Sequence, residues 1–162
     1  MRREIVVLIA MVLTALVAVK ASASDETEIV AMINKWNDDF NRRDESAMNA
    51  PCSSETVIVD VIPPHAWHGP NACSEWWKDF RAFSAQTGST DGVQSIDRPR
   101  SLLVTGDRAY VVAPGKYVDT ENGKSVTNTG IFTFALHKLA GVWHIAGWVW
   151  TDMPAAEPSS SQ

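Results

Sequence analysis

Residues 56–69 read TVIVDVIPPHAWHG, and the fold turns on that stretch. Val57, Ile58 and Val59, continued by Val61 and Ile62, form an apolar run bounded by turn signals. Such a run predicts a strand covered on both faces. Asp60 stands in its middle between β-branched neighbours. A carboxylate there must be hydrogen-bonded, neutralised or turned toward a cavity, because an unpaired buried charge is costly. Desolvation also raises a carboxyl pKa toward the range of a general base. Pro63 and Pro64 stop the strand, and residues 65–69 (HAWHG) follow as a loop placed to rim a pocket. The stretch predicts a pocket with an acid in it.

The strand is flanked by the two cysteines of the chain, Cys52 and Cys73. Their redox state depends on where the chain resides. Met1-Arg2-Arg3, then an apolar run to Val19, then Ala21-Ser22-Ala23, have the charged start, apolar middle and small-residue cleavage site of a secretory signal. Residues 1–23 are therefore expected to be removed, with an uncleaved anchor as the alternative. Export to the periplasm or the medium makes a Cys52–Cys73 disulfide the leading expectation, against two separate thiols. His65, His68 and Cys73 lack a standard zinc spacing, so no metal site is expected. Cleavage removes three bases and one acid, taking the net charge from −5 to −7. That acidity, with no basic patch, excludes binding to a phosphate backbone.

Outward from the strand, residues 26–43 read as a helix. Ile29, Ile33, Trp36 and Phe40 form one apolar stripe, widened by Met32, while Asn37, Asp38 and Asp39 take the solvated side. A short helix follows over 45–50. Residues 72–87 read as a third helix, with Cys73, Trp76, Trp77, Phe80 and Phe83 as its core stripe, and 88–92 as a small-residue linker. From Val93 the chain reads as β. Glu121-Asn122-Gly123-Lys124 is the strongest hairpin signal, and Pro114-Gly115 marks a bend. Strict alternation places His144, Ala146, Trp148 and Trp150 on one face of the last strand and Trp143, Ile145, Gly147 and Val149 on the other. Residues 24–153 thus predict a single α+β domain, and 154–162 a disordered polar tail.

The order helix, short helix, acid-bearing strand, helix and long strands resembles the SnoaL-like superfamily, which shares the fold of nuclear transport factor 2. The resemblance implies a cone-shaped α+β barrel, its N-terminal helices packed on a strongly curved, mostly antiparallel sheet. The ketosteroid isomerase helix end YVAALNAGD lines up without gaps on residues 36–44, WNDDFNRRD. Continued ungapped, that enzyme's catalytic aspartate falls on Asp60 and the glycine opening its third helix on Gly69. Its oxyanion hole pairs a tyrosine with a protonated aspartate. Here the tyrosine position holds Trp36, and the second acid falls near Gly130, beside Asn128 and Thr129. The resemblance thus implies the cavity and the acid.

Asp60 is the expected proton acceptor or donor, with His65 and His68 beside it to orient or relay a proton. Trp36, Asn128, Phe132, Trp148 and Trp150 are expected to bind the ligand. His144 shares the Trp148 face and reaches either the cavity or the core; Asp152 sits at the pocket mouth or merely ends the strand. His137 is expected to be solvated. The function expected is cofactor-free proton transfer on a small apolar substrate, of isomerase, dehydratase or cyclase type. The alternatives are a non-catalytic ligand-binding domain and a module that pairs into a homodimer through its sheet. No membrane partner is expected after cleavage.

Overall fold

The computed structural model describes residues 25–153. The signal segment and the tail lie outside the described residues. Helix α1 spans 25–42, α2 Glu45–Asn49 and α3 Ala72–Thr87. The strands are β1 Cys52–Val59, β2 Ala66–His68, β3 Ser89–Ile96, β4 Ser101–Thr105, β5 Arg108–Glu121, β6 Lys124–Leu139 and β7 Val142–Asp152. They form one sheet in the order β2-β1-β7-β6-β5-β3, with β4 also paired to β5. Only the β1·β7 pair is parallel. Register breaks in the β1·β7, β3·β5 and β6·β7 pairs curve the sheet. The sheet stays open, so the cone is not a closed barrel.

The predicted stripes supply the core, except that Phe83, at the end of the α3 stripe, is exposed. Ile29, Ile33, Trp36 and Phe40 of α1 and Trp76 and Trp77 of α3 are buried against Ile58, Phe134, Ile145 and Trp148 of the sheet. Gly88 ends α3 in the left-handed conformation, φ 71°. Asn122 and Gly123, at φ 50° and 77°, make the two-residue hairpin turn between β5 and β6. Cys52 and Cys73 are joined in a disulfide, Cα–Cα 6.7 Å, tying the start of β1 to the first turn of α3.

Five details differ from the sequence reading. The strand ends at Val59, and its outer face is open: Val57 and Val59 are exposed while Thr56 and Ile58 are buried. Apolar β-branched side chains serve here on a solvated face. Residues 66–68 are a strand, β2, too short to show any period; 89–96 are β3, an edge strand whose small polar residues resemble a linker. Asp39 is buried, not wet: Lys35 holds it at 2.7 Å and Arg42 also pairs with it. Finally, Ala135 pairs with Gly147 but Leu136 with Ile145, leaving Ala146 as a bulge. The bulge reverses the alternation, so Trp143 and Ile145 are buried on the same face as Trp148. His144 lies on the other face, opposite His137, away from the cavity.

Candidate functional site

Asp60 follows Thr56 and Ile58 at two-residue spacing, and both are fully buried, so the pleat aims it inward. There α3 and the inner sheet face enclose a cavity of about 260 Å³. Its apolar walls are Phe40, Trp76, Phe80, Phe132, Trp148 and Trp150. The rings brace each other: Phe132 and Trp150 at 4.7 Å, Trp76 and Trp148 at 4.9 Å in a T, Trp76 and Phe80 stacked at 5.4 Å. Such edge and offset contacts fix ring positions beyond what burial alone would do.

The Asp60 carboxylate is held from two sides. The indole N–H of Trp76 donates to Oδ2 at 2.8 Å, and the amide of Val61 donates to Oδ1 at 2.6 Å. Burial pushes the Asp60 pKa up; the donors Trp76, Val61 and Ile62 pull against it, while the charge of Asp152 adds to the rise. Burial wins. Asp152 is oriented in turn by the indole N–H of Trp150, at 2.7 Å from Oδ1. The result is a fixed carboxyl group, raised in pKa, facing an apolar space.

Among the residues expected at the site, Asp60, Asn128, Phe132, Trp148 and Trp150 do line the cavity, as does Asp152. Trp36 does not. It is 2% exposed and packs behind the wall, with Phe132, Phe134 and Trp148 at 5.7–6.0 Å. His65 is exposed; its ring lies 3.3 Å from the Asp60 carbonyl oxygen, and its own carbonyl accepts from the Asp60 amide at 3.1 Å. It braces the turn through the backbone and does not meet the carboxylate. His68 is exposed on β2, outside the lining. A Cβ at Gly130 would lie 2.5 Å from the Trp150 ring, so that ring occupies the space beside Gly130.

Sequence reading missed two kinds of residue. Trp76 was read as core, and it is; nothing in a helical stripe shows that one indole N–H reaches a carboxylate. Tyr117, Asp119 and Gln94, which no motif singles out, also line the cavity. Alternation on β5 would have placed Tyr117 and Asp119 inward. Gln94 donates to Asn37 at 3.2 Å, and its backbone exchanges two 2.8 Å bonds with the Asn41 amide group. Burial is the main cause of a raised Tyr117 pKa. Among the described residues no group of three His, Cys, Asp or Glu side chains is placed to hold a metal, and no helix is long and apolar enough to cross a membrane.

Several solved structures share this fold. A nuclear transport factor 2-like protein with a cystatin-like fold from Novosphingobium aromaticivorans superposes with a TM-score of 0.74 at 14% identity, covering 88% of this chain and 91% of that one. A ketosteroid isomerase-like protein from Erwinia carotovora atroseptica gives 0.63 at 21% identity, covering 80% and 96%. A hexachlorocyclohexane dehydrochlorinase from Novosphingobium barchaimii gives 0.68 at 11% identity, covering 82% and 92%. No curated protein matches the chain in sequence. The family model for the SnoaL-like domain matches residues 29–155, from the first buried residue of α1 past the end of β7. On that match, which takes in Asp60 and every wall of the cavity, the chain belongs to the SnoaL-like domain family.

Proposed function

We propose that this domain performs cofactor-free proton transfer on a small apolar molecule, with Asp60 as the base. The observation that carries the reading is the Asp60 carboxyl itself, fixed by Trp76 and Val61 and raised in pKa by burial beside aromatic walls. In the charged form it removes a proton from a substrate carbon. The electron pair left behind either shifts a double bond, after which Asp60 returns the proton, or expels a leaving group. The first course is an isomerisation, the second an elimination. The dehydrochlorinase of similar fold is named for an elimination, and the isomerase-like relative for the other course.

A second reading is a non-catalytic binder, favoured by Trp36, which stands at the tyrosine position but lies behind the wall. Mass spectrometry of copurifying molecules, then assay of that class, provides the substrate. Asp60→Asn should then lower turnover by about 10²–10⁴ with affinity little changed. A ligand bound equally by both forms, with no turnover in either, would establish the binder instead. Export, with cleavage before Ser24, is part of the same proposal: N-terminal sequencing of exported protein should begin near Ser24, and intact Met1 would indicate an anchor.

A further inference from the structure

The cavity has a second pole. Asp60 follows β1, whereas Tyr117 and Asp119 lie on β5, with β7 and β6 between the two strands. At about 4.8 Å per strand spacing, the two ends of the cavity are roughly 14 Å apart along the sheet. The β5 end is polar. Asp119 points inward beside Ser89 of β3, and Ser84 and Thr87 come from the last turns of α3. The Ser89 hydroxyl donates to Asp119 Oδ2. Asp119 Oδ1, by contrast, has no hydrogen-bond partner in the protein, although the residue is only 4% exposed. A buried carboxylate oxygen without a donor is rare and costly. Asp119 is itself a residue of the cavity wall.

We infer that this pole is a head-group subsite, and that the ligand is an otherwise apolar molecule carrying a hydrogen-bond donor, a hydroxyl or an ammonium, which bonds to Asp119. The Tyr117 hydroxyl lies at the same pole, its ring held by Phe40 at 6.1 Å and Phe80 at 5.8 Å. The walls between the poles take the hydrocarbon part. The volume, about 260 Å³, falls below that of drug-sized pockets, so the ligand is compact. Asp119 is a binding residue here, not a catalytic one. The inference rests on the cavity of the proposed function but not on proton chemistry at Asp60.

Three probes of one shape test it: indane, 2-indanol and 2-aminoindane, titrated calorimetrically into the folded protein at neutral pH. One hydrogen bond to a charged group should tighten the alcohol or the amine over indane by about 10–100-fold. Asp119→Leu should abolish that preference while retaining indane, and Asp60→Asn should keep it. A preference for the amine alone identifies an ammonium ligand; one shared by the alcohol identifies a hydroxyl. Equal binding of all three by the unaltered protein overturns the subsite and leaves the cavity standing. That comparison needs no variant, so it holds even where Asp119→Leu fails to fold. Binding by none of the three overturns cavity and subsite together.

Discussion

At Asp60 two opposing effects meet, and their balance makes predictions. Burial raises its pKa, while the Trp76 indole is the strongest influence lowering it. Trp76→Phe removes the N–H and keeps the ring stacking, so the Asp60 pKa should move further up. Carbonyl-detected NMR titration of the carboxyl group would show it; an unchanged midpoint would remove Trp76 from the site. The sign for stability follows from linkage. A folded pKa above the ordinary aspartate value of 3.8 means that the native state holds its proton longer than the unfolded chain. Asp60 therefore favours folding fully below that value and progressively loses this contribution as pH rises through its folded pKa. The difference between the protein and Asp60→Leu in thermal midpoint should shift in that window, in favour of the variant at higher pH. The acid itself was legible from a charged residue in a β-branched run. Its donor was not, because the periodicity that marks Trp76 as buried is silent about where an indole N–H points. The two histidines misled for a related reason: nearness in sequence put His65 and His68 beside Asp60, but a tight turn sends their rings outward.

Elements were read from period and punctuation, and both have blind spots. Helix α3 and the Asn122-Gly123 hairpin were readable because stripe and turn residues agreed with the final fold. Strand β7 was readable as a strand, but its faces were not, since a single unpaired Ala146 reverses the alternation after it, and no residue type announces a bulge. Close approaches between strands are likewise invisible in sequence but sharp in consequence. At Gly130 an added Cβ would lie 2.4 Å from the Thr151 carbonyl oxygen as well as against the Trp150 ring. Gly130→Ala should therefore destabilise the fold by about 1–3 kcal/mol and displace Trp150 from the cavity wall. Urea unfolding and tryptophan emission would measure the two effects; a silent substitution would mean that the ring is not seated there. The disulfide acts on the same scale. Cys52 and Cys73 are 21 residues apart, and on the chain-entropy model the bond contributes about 3 kcal/mol. Unfolding with and without reductant should differ by about that amount.

For the whole molecule, the decisive contacts run from one end of the chain to the other. The Asp25 carboxylate, at the start of α1, pairs with the Lys138 ammonium, 113 residues away, and accepts from the Trp143 indole at 3.2 Å, 118 residues away. Trp36 lies against Phe132, Phe134 and Trp148. The α+β class was visible in the order of elements, since helices came first and strands after. What their order conceals is that the earliest helix is seated on the latest strands. A chain ended at Leu139 retains all three helices and six of the seven strands yet lacks Trp143 and Trp148, which tie α1 to the last strand. Circular dichroism of that truncated chain should show no cooperative thermal transition; a sharp one would mean that α1 docks elsewhere. The tie at Asp25 has a consequence for biosynthesis. During synthesis α1 emerges before its partners, and its contacts, which run through α3, β3 and β6, are completed only when the ribosome has made β7. A nascent chain whose first helix is seated last stays incompletely closed until its synthesis is all but finished.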